Sequence, residues 1–144
     1  RGEHLMLVYV DTSALGRILL NHADRPALED HLDEVLERGD RLISSDLLDI
    51  ELARLCVRMD LDPADVERVC EDVHFMGILP EVVESAKDIK QTLKSLDAIH
   101  LGTALLLADE AEGEEAVEQV VTYDKRMAQV AEELGFEVVS PGRR

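Results

Sequence analysis

The chain is expected to fold as one α/β domain with a mainly parallel sheet of four to five strands, and three observations lead there. Short apolar, β-branched runs alternate with segments of helical periodicity, the pattern of strands joined by crossover helices. Those apolar runs are continuous rather than alternating, as expected of strands covered on both faces. Hydrophobic residues make up 46% of 144, enough for folding to bury about two-thirds of the unfolded surface. No internal repeat or linker interrupts the pattern, so residues 6–140 are read as one domain; residues 1–5 are set apart as foreign to it, with Met6 as its start.

The elements follow in order. Leu5 to Val10 is a continuous apolar run that stops at Asp11-Thr12-Ser13, all good capping residues, so a buried strand leads into a short helix over Ala14 to Asn21. A second helix runs from about Arg25 to Arg38, with Pro26 in its first turn, apolar Leu28, Leu32, Val35 and Leu36, and Gly39 as its stop. Arg41 to Ser44 is a short strand. Ser44-Ser45-Asp46 opens a third helix, on which Leu48, Leu52, Leu55 and Met59 recur at helical spacing. Asp62-Pro63 caps a fourth to about Glu71; Val73 to Leu79 is then extended and ends at Pro80. Glu81 to Leu93 reads as helix. Ser95 is expected to cap a helix from Leu96 to Asp109 that is apolar on almost every side and therefore packed inside the molecule. Asp109 to Glu118 carries six acids and no base and reads as a solvated connection. Val117 to Thr122 is a strand, Lys125 to Leu134 a helix stopped by Gly135, and Phe136 to Val139 a last strand.

Charge and composition exclude several roles. Lys and Arg total 15 against 32 Asp and Glu, a formal net charge of −17, which opposes indiscriminate nucleic-acid binding through a basic face. Only Tyr9, Phe75, Tyr123 and Phe136 are aromatic, so a platform of rings for stacking bases is nearly excluded. Cys56 and Cys70 are too few for a disulfide framework and sit at apolar helical positions, which fits a reducing cytoplasm. The longest strongly apolar stretch, Ala98 to Ala108, is far short of the about 20 residues that span a membrane. Leu5 to Val10 is likewise too short for a secretory signal.

Four acids stand out. In a parallel α/β sheet ligands bind at the carboxyl ends of the strands, where Asp11 and Asp124 fall. Asp97 lies in the first turn of the most apolar helix, and Glu51 sits on or beside an apolar helical face between Leu47 and Leu55. Singly, each has a structural explanation: Asp11 as a cap, Asp97 as a complement to the helix dipole, Asp124 as a turn residue, Glu51 as the partner of Arg54. Together they would repel and raise one another's pKa unless a cation is shared. Oxygen-only ligands suit Mg²⁺ or Mn²⁺ better than zinc, and such a site can activate water for attack on a phosphodiester.

Four segments carry a family likeness: Val8-Tyr9-Val10-Asp11-Thr12-Ser13-Ala14-Leu15, Ser44 to Arg54 around Glu51, Ser95-Leu96-Asp97-Ala98-Ile99-His100-Leu101-Gly102-Thr103-Ala104, and Thr122-Tyr123-Asp124-Lys125-Arg126-Met127. In this order they resemble the motifs of PIN-domain ribonucleases, especially VapC-type toxins, from Met6 to Val139. The resemblance implies a three-layer α/β/α fold and a Mg²⁺- or Mn²⁺-dependent endoribonuclease, usually dimeric, blocked by a cognate VapB-type antitoxin. Asp11, Glu51, Asp97 and Asp124 match the family's acidic quartet, and Thr122 the hydroxyl that accompanies its last acid. Asp11 and Asp97 are then the first choices for metal ligands, with Asp124 and Glu51 holding a second metal, water or the first ligands in place. Gly102 departs from the family's usual alanine, which would loosen the central helix.

Alternatives stand beside this reading. A phosphatase of the haloacid-dehalogenase type also begins with an aspartate after its first strand, but needs a second acid where this chain has Ser13. A PIN-like module that binds RNA or protein without cutting is the non-enzymatic possibility. His100 is read as a packed structural histidine, Ser13 as a cap, and Met59, Met76 and Met127 as core fillers. Bases near the motifs, Arg17, Arg54, Arg58, Lys94, Lys125 and Arg126, are candidates for phosphate contact or plain surface.

Overall fold

Met6–Val10 forms the first strand, β1, and the rest of the fold is wound around it. The structure, a computed structural model, describes residues 5–108 and 115–143. After β1 come α1 (Thr12–Leu19), α2 (Arg25–Glu37), β2 (Arg41–Ser45), α3 (Asp46–Met59), α4 (Pro63–Val69), β3 (Val73–Met76) and α5 (Pro80–Lys87). The chain ends with α6 (Ser95–Leu106), β4 (Ala116–Val121), α7 (Lys125–Glu133) and β5 (Glu137–Val139). The strands pair in parallel in the order β3-β2-β1-β4-β5. β1 is thus the middle strand, and the chain winds outward through β2 to β3 on one side and through β4 to β5 on the other. That reversal opens a crevice at the carboxyl ends of β1 and β4, where parallel sheets bind their ligands.

Because side chains alternate along a strand, β1 feeds two cores. Val8 and Val10 pack with Leu15 of α1, Leu28 of α2, and Leu48 and Leu52 of α3. Tyr9 faces the other way, towards Leu101 of α6 and Met127 and Val130 of α7. The result is the expected three-layer α/β/α arrangement, with five strands. Each fully buried aliphatic side chain contributes about 1.5–3 kcal/mol, so two such cores need few aromatic residues.

β4 contains one extra residue. Leu7 pairs with Val117 but Val8 with Gln119, leaving Glu118 at a bulge. The bulge displaces the alternation by one, which is how Val117 and Val120, three apart, both reach the core beneath α6 and α7. Gln119 beside it is buried, and its amide is held by His31 Nε2 at 2.7 Å and Glu137 at 2.8 Å.

Several boundaries differ from the sequence reading. The helix expected over Glu81 to Leu93 stops at Lys87, because Ile89 and Leu93 reach the second core from irregular backbone, so their spacing needs no helix. Ser95 is not a cap: it is the first residue of α6, and Lys94 at the cap position makes no side-chain hydrogen bond. The acidic run Asp109 to Glu118 is only partly a connection, since β4 already includes Ala116 to Glu118; residues 109–114 lie outside the described residues. Met59 is half-exposed at the end of α3, whereas Met127 is a core residue as expected. Gly39 and Gly135 end α2 and α7 with φ of 88° and 102°, a conformation that suits glycine. Among the described residues no helix is long and apolar enough to cross a membrane.

Candidate active site

Two of the acids are fixed by the same local device. Asp11 directly follows β1 and caps α1, accepting the Ala14 amide at 3.0 Å. Asp124 follows β4 and caps α7, accepting the Met127 amide at 2.8 Å. β1 and β4 are neighbours in the sheet, so both carboxylates stand at the mouth of the crevice between them. Asp97 comes from the first turn of α6 and Glu51 from α3, in opposite helical layers. All four share one electrostatic neighbourhood. Burial pushes the Asp97 carboxyl above its ordinary range, and the negative charges of Asp124, Asp11 and, more weakly, Glu51 push it further. Among the described residues no three His, Cys, Asp or Glu side chains form a ready-made metal cage.

Asp11 is the most enclosed of the four, 3% exposed. Its Oδ1 accepts from Ser13 Oγ at 2.7 Å as well as from Ala14, and its Oδ2 accepts from Thr122 Oγ1 at 2.5 Å. Burial raises its pKa, and the Thr122 and Ser13 hydroxyls pull it back without reversing the shift. Ser13 also accepts the Tyr123 amide at 2.8 Å, and Thr122 accepts the Asp124 amide at 3.2 Å. The two hydroxyls, 3.2 Å apart, therefore knit the ends of β1 and β4 together around Asp11. Ser13 is more than a cap, and it occupies with a donor the place where a dehalogenase-type phosphatase would need an acid.

Glu51 is held differently. Thr12 Oγ1 donates to its Oε1 at 2.5 Å, and His100 Nε2 lies 2.7 Å from the same oxygen. Burial works against the ionised form, yet these hydrogen bonds outweigh it and the net shift is downward. Glu51 is thus paired with His100 and Thr12 rather than with Arg54. His100 is packed as expected, 2% exposed, but it also connects Glu51 to the Tyr9 hydroxyl, 2.6 Å from Nδ1. Sequence reasoning missed Thr12, Ser13 and Tyr9 as site residues. The available signal was the pair of short hydroxyls directly after Asp11, which capping alone does not use up.

Two of the candidate bases are committed to structure. The Arg17 guanidinium stacks on the Tyr123 ring, 4.2 Å from its centroid, and pairs with Asp24 at 3.7 Å. Arg126 Nε donates to the Thr92 carbonyl at 2.8 Å, tying α7 to the segment before α6.

A family model, the PIN domain, matches residues 8–133. The chain belongs to the PIN-domain family. Among curated relatives, Ribonuclease VapC47 of Mycobacterium tuberculosis is 34% identical over 140 residues, covering 94% of this chain and 98% of the relative. Ribonuclease VapC35 of the same species is also 34% identical, covering 95% and 98%. Solved structures share the fold at lower identity. The VapBC2 complex of Rickettsia felis, bound to a DNA fragment from its promoter, gives a TM-score of 0.65 at 12% identity, covering 93% of this chain and 98% of that one. The sarcin-ricin-loop-cleaving toxin VapC20 of M. tuberculosis gives 0.62 at 16%, covering 93% and 99%.

Proposed function

We propose that this PIN-domain protein is a metal-dependent endoribonuclease, the toxin of a toxin–antitoxin pair, and that Asp11, Glu51, Asp97, Asp124 and Thr122 form its catalytic site. One observation supports the reading: Asp11 and Asp124 follow the neighbouring strands β1 and β4, and their charges, with that of Glu51 from the other helical layer, are felt at Asp97. Relatives named ribonucleases over nearly their whole length support the activity.

The residues fit Mg²⁺ or Mn²⁺. Every candidate ligand is a carboxylate oxygen, the donor that these hard cations take. The Asp97 pKa is raised first by burial and then by the charges of Asp124 and Asp11, and a divalent cation would relieve that repulsion. Asp11 and Asp97 are the first choices to hold it, with Asp124 and Glu51 completing the set. When bound, the cation supplies charge neutralisation at the phosphate and activation of a water molecule. The chain's own residues do the positioning: Thr122 and Ser13 orient Asp11, while Thr12 and His100 orient Glu51, as partners of ligating side chains do. Water as nucleophile leaves a 5′-phosphate and a 3′-hydroxyl on the RNA.

The test is cleavage of bacterial RNA in Mn²⁺ with end-group analysis. Asp11→Asn and Asp97→Asn are each expected to abolish cleavage while the circular dichroism spectrum is kept. Cleavage surviving in both variants, or 2′,3′-cyclic phosphate ends, rejects the mechanism.

The same reading includes a VapB-type antitoxin as partner, in line with the toxin–antitoxin complexes among the structural neighbours, and a homodimer. α4 buries Val66 and packs the partly buried Val69 against the core. α3 instead exposes Ile50 (57%) and Val57 (66%), seven residues apart and so on one face, an apolar surface suited to a second subunit.

A further inference from the structure

Tyr9 on β1, His100 on α6 and Glu51 on α3 form a hydrogen-bonded chain that crosses from one helical layer to the other. The Tyr9 hydroxyl is 2.6 Å from His100 Nδ1, and His100 Nε2 is 2.7 Å from Glu51 Oε1. Tyr9 is fully enclosed and the two rings meet edge to face, with centroids 5.7 Å apart. A histidine that only filled space would not need both contacts.

Proton counting restricts what the chain can be. The Glu51 carboxylate only accepts, so Nε2 must carry a hydrogen. Tyr9 then either donates to a bare Nδ1 or accepts from a protonated one. The one arrangement excluded is a neutral ring protonated on Nδ1, which would set a bare Nε2 against a carboxylate oxygen at 2.7 Å.

We propose that Tyr9 and His100 are positioning residues for Glu51: Tyr9 fixes the orientation of the His100 ring so that its Nε2–H faces Glu51, and His100 with Thr12 clamps Oε1 so that Oε2 is left for the reaction centre. This rests on the nuclease reading and deepens it. Leu48 and Leu52 of α3 belong to one core and Leu101 of α6 to the other, so the bond from His100 to Glu51 fixes the two layers at the level of the site. Asp97 lies three residues before His100, on the same face of α6. One hydrogen bond therefore sets Glu51 and Asp97 relative to each other.

The full chain labelled with isotopic nitrogen in histidine tests this by NMR in EDTA. His100 is expected to show a protonated, slowly exchanging Nε2, and Tyr9→Phe to speed the exchange of that Nε2 hydrogen as the ring loses its fixed orientation. A bare Nε2 in the unmodified protein overturns the proposal. Calorimetric titration with Mn²⁺ gives a second readout. Tyr9→Phe is expected to weaken Mn²⁺ binding about tenfold, as loss of an outer partner of a ligating group does. His100→Gln keeps a donor near the Nε2 position without needing Tyr9, so it is expected to retain most of the affinity, whereas His100→Ala is not. Adding Tyr9→Phe to Glu51→Gln is expected to change nothing further. An equal loss with and without the Glu51 carboxylate means that Tyr9 acts by packing alone, and refutes the chain. If Tyr9→Phe does not fold, His100→Gln and the spectrum of the unmodified protein still decide. If the unmodified protein neither binds Mn²⁺ nor cleaves RNA, the nuclease reading fails while the nitrogen spectrum still reports on Tyr9 and His100.

Discussion

Replacing Gly102 by alanine tests how α6 is seated, because two known effects of opposite sign compete there. On helix propensity alone, Gly→Ala in a helix interior stabilises by about 1 kcal/mol. At Gly102, however, an added Cβ would lie 2.8 Å from Ala86 N and 3.0 Å from its Cα and Cβ, all on α5. Carbon atoms rest at about 3.5–4.0 Å, so α5 would have to retreat, and two of the three atoms met are backbone that no rotamer change can move. Overpacking of this kind costs about 1–3 kcal/mol, and with contacts this short the upper half of that range applies. The net expectation is destabilisation by about 1–2 kcal/mol, or a fall in Tm of about 2–8 °C for a chain of this size. Urea unfolding followed by circular dichroism is the assay: the midpoint should fall with the slope unchanged. A Gly102→Ala protein as stable as the parent, or more so, refutes the claim that glycine is there to admit α5.

Three further outcomes are expected. The raised Asp97 pKa means that its contribution to stability is full below the unfolded value of about 4 and is lost as pH rises through the folded value. In EDTA, thermal melts of Asp97→Asn should therefore gain on the parent as pH rises above about 4, by no more than about 1 kcal/mol for a partly exposed group, and a gap independent of pH contradicts this. Thr122→Val removes the donor to Asp11 Oδ2 in a buried setting and should cost about 1–3 kcal/mol in chemical denaturation, while Thr122→Ser keeps the bond and most of the stability; equal losses would count against it. On the proposed homodimer contact through α3, Val57→Glu should leave the melting temperature near that of the parent but lower the mass measured by light scattering to that of a monomer, and a parent already monomeric would refute the contact.

The fold was legible wherever one physical signal dominated. The run Leu5 to Val10 and the caps Asp11, Ser45 and Asp62 announced their elements directly, since strand burial and helix starts are local properties. Errors arose where tertiary packing replaced local pattern. Ile89 and Leu93 have helical spacing but pack from irregular backbone, and the bulge at Glu118 depends on the partner strand β1. The four acids were legible as a set; their holders were not. His100 pairs with residues 91 and 49 positions away, and Thr122 meets Asp11 across 111, so no window of sequence contains either bond. Gly102 shows the same limit with its sign reversed: read alone it loosens a helix, yet in the fold it allows a tighter contact.

Asp11 and Asp124 each anchor the first amides of a helix, and this ties survival of the fold to the identity of the residue that replaces them. Asparagine caps a helix about as well as aspartate, whereas alanine costs about 0.5–2 kcal/mol. Aspartate and asparagine codons differ by one base. A single mutational step therefore leads to a chain that has lost a negative charge from the crevice but keeps its shape and its outer surface. Such a chain would persist in the cell and compete with active copies for whatever binds them. Alanine at the same position would instead weaken the helix start and expose the chain to proteolysis, so the two routes to silence differ in whether they leave a decoy behind.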